Sequence, residues 1–276
     1  MKLIIIGARL RPRLVEEFVK NGVEVKNIAS EITITIPTPY TGYIWDRTEK
    51  INLSDYSGIL LLSRKKRSKL LYNSLRNHIL IIGNPYSRFE FDNKSFGSIR
   101  VSEGGIPVIP MVYGNVTSKE LIEHLGDTLV EKPDDLSRGE RVELKVNPRS
   151  YNPDRIYQKY IECGHSDERW ICVEGKGVVC AMKRTSSNPS EFRANLNKGG
   201  KGEKLEVTQE MQDLAERITS IFPGYVFAGI DILTDKNTGE RYFLESNVIP
   251  GEKIIEISGH NYYEDIYNSV MSKLGL

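Results

Sequence analysis

The sequence predicts a mixed α/β protein, with an alternating strand–helix–strand lobe followed by a larger unit of mostly antiparallel strands. Three observations carry this. Leu3 to Ile6, Gly58 to Leu62 and Ile79 to Ile82 are short, unbroken apolar runs of the kind found in strands buried on both faces. Segments of helical spacing separate them. Beyond residue 128, strand-length runs follow one another with little helix between them. The 276 residues, 39% hydrophobic and 27% charged, have the composition of an ordinary globular protein able to bury its own core.

Taken in order, Leu3 to Ile6 is a strand, and Arg11 to Asn21 a helix with Leu14, Val15, Phe18 and Val19 at helical spacing. Val23 to Ile28 returns as a strand, and Ile32 to Ile36 alternates in period two up to Pro37 and Pro39. Arg64 to Arg76 is a helix between the strands Gly58 to Leu62 and Ile79 to Ile82. A first lobe therefore spans residues 1–90. Its Gly7 stands without the further glycines of a dinucleotide-binding turn. A helix from Lys94 to Glu103 ends at Gly104-Gly105, and Thr117 with Glu120 forms a capping box for a helix reaching Leu125.

Leu129 to Lys132, Val142 to Val146, Ile156 to Ile161, Trp170 to Glu174 and Val178 to Lys183 read as successive strands. Met211, Leu214, Ala215, Ile218 and Ile221 recur every three or four residues, so Thr208 to Phe222 is a helix, stopped by Pro223-Gly224. Val226 to Leu233 and Arg241 to Asn247 form a hairpin, and a helix from Tyr262 to Leu274 closes the chain.

Thirty-eight Lys and Arg against 37 Asp and Glu leave a net charge of +1, too little for a whole-molecule field that holds nucleic acid or anionic lipid. The one basic cluster, Arg64-Lys65-Lys66-Arg67-Ser68-Lys69, reads more readily as a solvated helix face than as a nucleic-acid patch. No nucleic-acid partner is expected. No apolar run is long enough for a membrane helix, and no membrane partner is expected. Met1 to Gly7 is too short an apolar run for a signal peptide. Cys163, Cys172 and Cys180 lack both zinc spacing and disulfide density, so a cytoplasmic location is expected.

The hairpin is where chemistry concentrates. Along a strand, alternate residues share a face, which groups Phe243, Glu245 and Asn247. With the turn centred near Thr238, Asp231 lies opposite Glu245. Two facing carboxylates repel unless a cation lies between them, and magnesium suits such a set of hard oxygens together with water and phosphate. The other reading is a pair of ordinary solvent-facing acids.

Phe192-Arg193-Ala194-Asn195 through Gly199-Gly200, then Gly229-Ile230-Asp231, then Leu244-Glu245-Ser246-Asn247 through Pro250-Gly251 resemble, in order and spacing, the signature of RimK-like ATP-grasp ligases. Upstream, Asn93-Lys94, Gly105 to Pro110 and Val130-Glu131-Lys132-Pro133 are similar to the same family. The likeness covers residues 92–251; the first ninety match only its generic Rossmann-like leading lobe.

The resemblance implies an α+β ATP-grasp fold. A Rossmann-like pre-ATP-grasp lobe occupies 1–90, and an ATP-grasp domain 91–276 divides into a lid at about 115–160 and a catalytic subdomain at about 161–276, the two clamping ATP. It assigns phosphate lysines to Lys94 and Lys132, and adenine binding to the hinge Gln158, Lys159, Tyr160 and Ile161 that follows Tyr157. Asp167 and Arg169 complete the nucleotide set. Asp231, Glu245 and Asn247 hold two Mg2+ ions, with Mn2+ as a substitute. Arg193, Asn195 and Arg184 attend the reacting centre.

The activity so implied is ATP-dependent joining of a carboxylate to an amine through an acyl phosphate, with ADP and phosphate released. Small-molecule or peptide carboxylates and amines are the expected partners, in a homo-oligomer of two or four chains. The alternative is a non-catalytic nucleotide-binding regulator or scaffold. Three departures from the family pattern stand out. An acidic stretch from Asp134 to Gly139 keeps one glycine where a glycine-rich loop is usual, Gly164-His165-Ser166 is short, and Glu252-Lys253 follows Pro250-Gly251. Gly199 to Gly202 reads as a flexible loop over the nucleotide, and Tyr40, Tyr43, Trp45 and Tyr86 as substrate-pocket aromatics or as ordinary packing.

Overall fold

The structure is a computed structural model that describes residues 1–7, 11–28, 42–46, 49–134, 141–149, 151–188 and 190–276. The strand expected over Ile32 to Ile36, Tyr40 and the acidic stretch 135–139 lie outside the described residues.

The first lobe runs β1 (Lys2–Ile6), α1 (Pro12–Lys20), β2 (Glu24–Ile28), the hairpin β3 (Tyr43–Asp46) and β4 (Glu49–Asn52), β5 (Gly58–Leu61), α2 (Lys66–Leu75) and β6 (Ile81–Ile82). Strands β1, β2, β5 and β6 make a parallel sheet in the order β2-β1-β5-β6. Leu3 to Ile6 and Ile59 to Leu61 are fully buried, which is why both runs are apolar at every position. Pro12 opens α1, where its missing N–H is no loss, and Leu14 and Phe18 turn inward.

Next come α3 (Pro85–Asp92) and α4 (Lys94–Glu103), a helix pair hinged at Asn93, whose side chain caps α4 by accepting from the Phe96 N–H. The segment Ile106 to Pro110 makes a single parallel bridge, Val108 to Phe243. Then β7 (Met111–Tyr113), α5 (Ser118–Leu125), β8 (Thr128–Pro133), β9 (Glu143–Val146) and β10 (Arg155–Lys159) form an antiparallel sheet in the order β7-β10-β8-β9. The capping box of α5 is complete: Glu120 N–H donates to Thr117 Oγ1, and Thr117 N–H to Glu120 Oε2.

The last sheet comprises β11 (Ser166–Val173), β12 (Gly177–Thr185), β13 (Lys201–Leu205), β14 (Phe227–Thr234) and β15 (Arg241–Asn247), in the antiparallel order β13-β12-β11-β14-β15. Helix α6 (Gln209–Ser220) covers one face through Met211, Ala215 and Ile218. The other face packs on α7 (Lys253–Ser258), α8 (Tyr262–Lys273) and the first lobe, in one core that joins Leu3, Phe18 and Leu60 to Ile171, Phe227 and Val270. The expected flexible loop at Gly199 to Gly202 is corrected here, because Lys201 and Gly202 begin β13, with Gly202 paired to Arg184. A Cβ on Gly202 would come within 2.5 Å of the Ile257 side-chain tip, so this strand packs closely on α7.

A candidate nucleotide and acyl-transfer site

Period-two alternation on the last sheet builds the site. Phe227 and Asp231 on β14, Ile171 and Arg169 on β11, and Met182 and Arg184 on β12 lie on one face. The apolar members fill the core shared with the first lobe, while the polar ones continue the same face beyond it. Register does the rest: Asp167 pairs with Arg184, Arg169 with Asp231, and Asp231 with Glu245. Opposite charges face each other in the first two pairs, and like charges in the third. Gly229, beside this row, leaves room for Arg169 and Pro250, to which a Cβ would come within 3.6 and 3.0 Å.

The expected pairing of Asp231 with Glu245 is present. The expected grouping of Phe243 with them is not. The ladder slips between Asp231 and Ile232, so Leu244 is an extra residue and Phe243 pairs with Ile232. One added residue reverses the facing of all that lies beyond it, which puts Phe243 in the core against α6.

Asp231, 1% exposed, is held by two guanidinium groups. Arg169 donates Nε to Oδ1 at 2.7 Å and Nη2 to Oδ2 at 2.5 Å, and Arg184 donates Nη2 to Oδ2 at 2.8 Å. Arg184 also grips Asp167 at 2.5 and 2.8 Å. Burial pushes the Asp231 carboxyl up, but the two arginines outweigh it and hold its pKa below the usual range. Asp167 goes the other way: burial raises it beyond what Arg184 offsets. For Arg184, burial acts downward and the two carboxylates overcome it, so it stays charged.

Two cavities adjoin this row. The narrower, about 120 Å³, lies between the sheet of β7 to β10 and the sheet of β11 to β15. Lys94, Lys132 and the run Gln158, Lys159, Tyr160 and Ile161 line it, with Asp167, Arg184, Arg193, Asn195, Asp231 and Glu245. Ile109, Val130, Val142, Leu233 and Leu244 supply apolar walls. Its volume is below the about 300–1,000 Å³ usual for ligand pockets, so a mononucleotide enters only if the two sheets part. The wider cavity, about 1180 Å³, lies between the first lobe and the last sheet, and Arg169 and Asn247 open onto it rather than onto the narrow one. Lys94, Arg184, Asn195 and Glu245 border both.

Lys132 is 4% exposed, and burial lowers its pKa to about 8 although Glu245 opposes the shift. Lys94 begins α4 and donates to the Asp134 carbonyl at 3.4 Å. Arg193 is paired with Glu191 at 2.7 and 2.5 Å and reaches the Val142 carbonyl at 3.2 Å. It therefore stands on the wall of the narrow cavity, away from the wide one. Tyr43, Trp45 and Tyr86 line neither cavity; Tyr43 and Trp45 pack edge to face, and Tyr86 accepts from Asn73. The cluster Arg64 to Lys69 turns out to edge the wide cavity through Arg64, Lys65, Lys66 and Lys69. Sequence reasoning set this cluster aside, and it had no means to pair Asp167 with Arg184, because the register of β11 on β12 is a long-range property.

Among the described residues, no group of three or more His, Cys, Asp or Glu side chains converges as a metal cage. Asp231, Glu245 and Asn247 instead offer two carboxylates and an amide oxygen. Glu245 has no ion pair among the described residues, and Asn247 Oδ1 accepts only the Ile249 N–H at 2.8 Å. Few protein oxygens with room for water and phosphate is the donor set magnesium takes; Glu245 and Asn247 offer such oxygens, whereas both oxygens of Asp231 accept from arginine and one must be released for the same ion.

A family model described as the RimK-like ATP-grasp domain matches residues 110–270. A protein of Haemophilus influenzae named probable alpha-L-glutamate ligase is 32% identical over 167 residues, covering 56% of this chain and 54% of that one. Probable alpha-L-glutamate ligase 2 of Hahella chejuensis is 28% identical over 207 residues, 73% of this chain and 63% of that one. The chain thus spans under two thirds of the length of either relative. Among solved structures, the ATP-grasp ligase PsnB complexed with minimal precursor superposes with a TM-score of 0.74 at 15% identity over 98% of both chains. The same ligase with minimal precursor, Mg and ADP gives 0.73 at 14% identity, over 99% of this chain and 97% of that one. At such identity the likeness is one of fold.

Proposed function

Because the chain belongs to the RimK-like ATP-grasp family, we propose that it is an ATP-dependent carboxylate–amine ligase. The observation that carries this reading is the meeting of two clefts at Lys94, Arg184, Asn195 and Glu245. A triphosphate tail reaching out of the narrow cleft and an acid held in the wide one come together at those four side chains.

A carboxylate is a poor electrophile because oxide would have to leave. One carboxylate oxygen therefore attacks the γ-phosphorus, and ADP departs with the broken bond's electrons. The amine nitrogen then attacks the acyl carbon, and inorganic phosphate leaves with an oxygen of the original acid while the amine loses a proton and the amide forms. In this reading the sheet of β7 to β10 is the lid over the nucleotide, and the run Gln158 to Ile161 lies along the base. The ammonium groups of Lys94 and Lys132 bind phosphate oxygens as point charges.

Asp231, Glu245 and Asn247 would hold magnesium, Asp231 once an arginine yields one of its oxygens. When bound, the ion neutralises charge that develops on the phosphoryl group in flight. Arg184 and Asn195, bordering both clefts, face the acyl phosphate and its oxyanion, and Arg193 meets phosphate from the narrow side. Arg169 acts through Asp231, whose carboxylate it orients.

The names of the relatives suggest L-glutamate as the amine, and the precursor bound to PsnB suggests a peptide as one kind of acid. ADP release from the full chain with Mg-ATP, L-glutamate and a panel of peptides and small acids, with products weighed by mass spectrometry, tests the reading. Acid-stimulated ADP release matched by amide supports it. Nucleotide binding with no stimulated turnover favours the regulator instead.

A further inference from the structure

Strand β15 ends at Asn247, which pairs with Gly229 on β14, and beyond it the chain leaves the sheet while still buried. Val248 is fully buried in the core that also holds Phe91, so its N–H and carbonyl need partners other than a strand ladder. Helix α3 supplies both. Asp92 Oδ1 accepts from the Val248 N–H at 2.9 Å, and Arg88 Nη2 donates to the Val248 carbonyl at 2.9 Å. On the other side of Asn247, Ser246 Oγ donates to the Phe91 carbonyl. Both neighbours of Asn247 are therefore tied to the same helix, and its own Oδ1 is set by the Ile249 N–H at 2.8 Å.

Two residues beyond Asp92, Lys94 opens α4, and Asn93 between them caps that helix at the Phe96 N–H, 2.9 Å away. The turn Asp92-Asn93-Lys94 thus carries at one end the partner of Val248 and at the other a side chain that borders both cavities. The second oxygen of Asp92 is paired with Arg64, which follows β5 in the first lobe. This leaves Oδ1 for Val248, on a side chain only 11% exposed.

We propose that Asp92 is a positioning residue, which acts through Val248 to fix the Asn247 amide oxygen for a divalent cation and to set its spacing from the Lys94 ammonium. The assignment rests on the reading of Asn247 as a metal ligand and Lys94 as a phosphate partner given above. A neutral amide oxygen binds a hard cation less strongly than a carboxylate does, so its contribution depends on being held in place before the ion arrives. Removing a group that orients a ligand costs about 10–100-fold in metal affinity.

The test uses the full chain with ADP and Mn2+, the free ion followed by electron paramagnetic resonance, so that metal binding is read without turnover. Asp92→Ala, which opens space, and Asp92→Leu, which fills it, both remove the acceptor and are expected to weaken Mn2+ binding about tenfold or more. Asp92→Asn loses the charge but keeps an oxygen for Val248, and is expected to stay within about threefold of the parent. Asn247→Ala is expected to weaken binding about tenfold, and adding Asp92→Leu to it to cost nothing further, because the two share one route to the ion. Leu75→Ala, in the first lobe's own core, is the control: it lowers the melting temperature and leaves the metal constant unmoved. In turnover, Asp92→Leu is expected to need more Mg2+ for half-maximal rate and to recover kcat at saturating Mg2+.

Parent-like Mn2+ binding in both variants without an acceptor, an equal loss in Asp92→Asn, or additive losses in the double variant would overturn the role of Asp92. Unchanged Mn2+ binding in Asn247→Ala would overturn the metal reading itself. Metal binding as expected, with no ADP release from any acid, would overturn the ligase reading and leave the role of Asp92 standing.

Discussion

Arg184 and Asp231 form a buried ion pair, Nη2 to Oδ2 at 2.8 Å, in the wall between two cavities, and the same guanidinium holds Asp167 on the neighbouring strand. One planar cation thus bridges two carboxylates, of which Asp231 is held below the usual carboxylate range and Asp167 is raised by its burial. Arg184→Ala leaves both carboxylates without that partner, and a loss of about 3–5 kcal/mol is expected, read from the denaturant midpoint. Arg184→Lys is expected to recover part of it, because a single ammonium cannot fork to two acids.

The two central acids differ as probes. Asp231 is buried and paired twice, so Asp231→Asn takes the negative charge from Arg169 and Arg184 and lowers stability along with activity. Glu245 is half-buried and free of such pairing among the described residues. Glu245→Gln is expected to cut amide formation at least about 100-fold with the melting temperature within a degree or two of the parent, as for loss of a metal-holding oxygen. Steady-state kinetics beside a thermal melt separates the two cases.

Lys132 gives two opposite pH dependences. Its pKa is about 8 in the folded chain against an ordinary 10.5, so between those values the unfolded chain binds more protons and this group's contribution makes the protein more stable as pH rises. Phosphate needs the ammonium form, so nucleotide affinity is expected to fall as pH rises through about 8. Titration of the full chain with ATP from pH 6.5 to 9.5 checks this. Lys132→Gln is expected to bind weakly and to lose that pH step.

Arg88 ties three segments together. Fully buried, it donates to the carbonyls of Leu62, Tyr225 and Val248, the last next to Asn247, and burial lowers its pKa to about 9. Arg88→Met keeps most of the volume but strands three carbonyls, each worth about 1–3 kcal/mol when left unsatisfied. A destabilisation above about 3 kcal/mol is expected in chemical denaturation, and Arg88→Lys is expected to recover only part of it, since one ammonium cannot span the three.

Local chemistry was legible in the sequence. The Thr117 and Glu120 capping box, the 3.6-residue rhythm of Met211, Ala215 and Ile218, and the opposition of Asp231 and Glu245 across a short turn each follow from residues near one another in the chain. What escaped depends on distant partners. The extra residue at Leu244 has no side-chain code, and Lys201 to Leu205 is a poor strand former that becomes one only because β12 offers it an edge. Arg64 to Lys69 looks like any solvated helix face until the first sheet is packed against the last.

The transfer of phosphate onto the acid is tested most directly by labelling both carboxylate oxygens of a turned-over acid with oxygen-18 and weighing the inorganic phosphate released by the full chain with Mg-ATP and the amine. One labelled oxygen per phosphate is the expected result. Unlabelled phosphate accompanying amide formation would mean that the acid never met the γ-phosphoryl group at the junction of the two clefts.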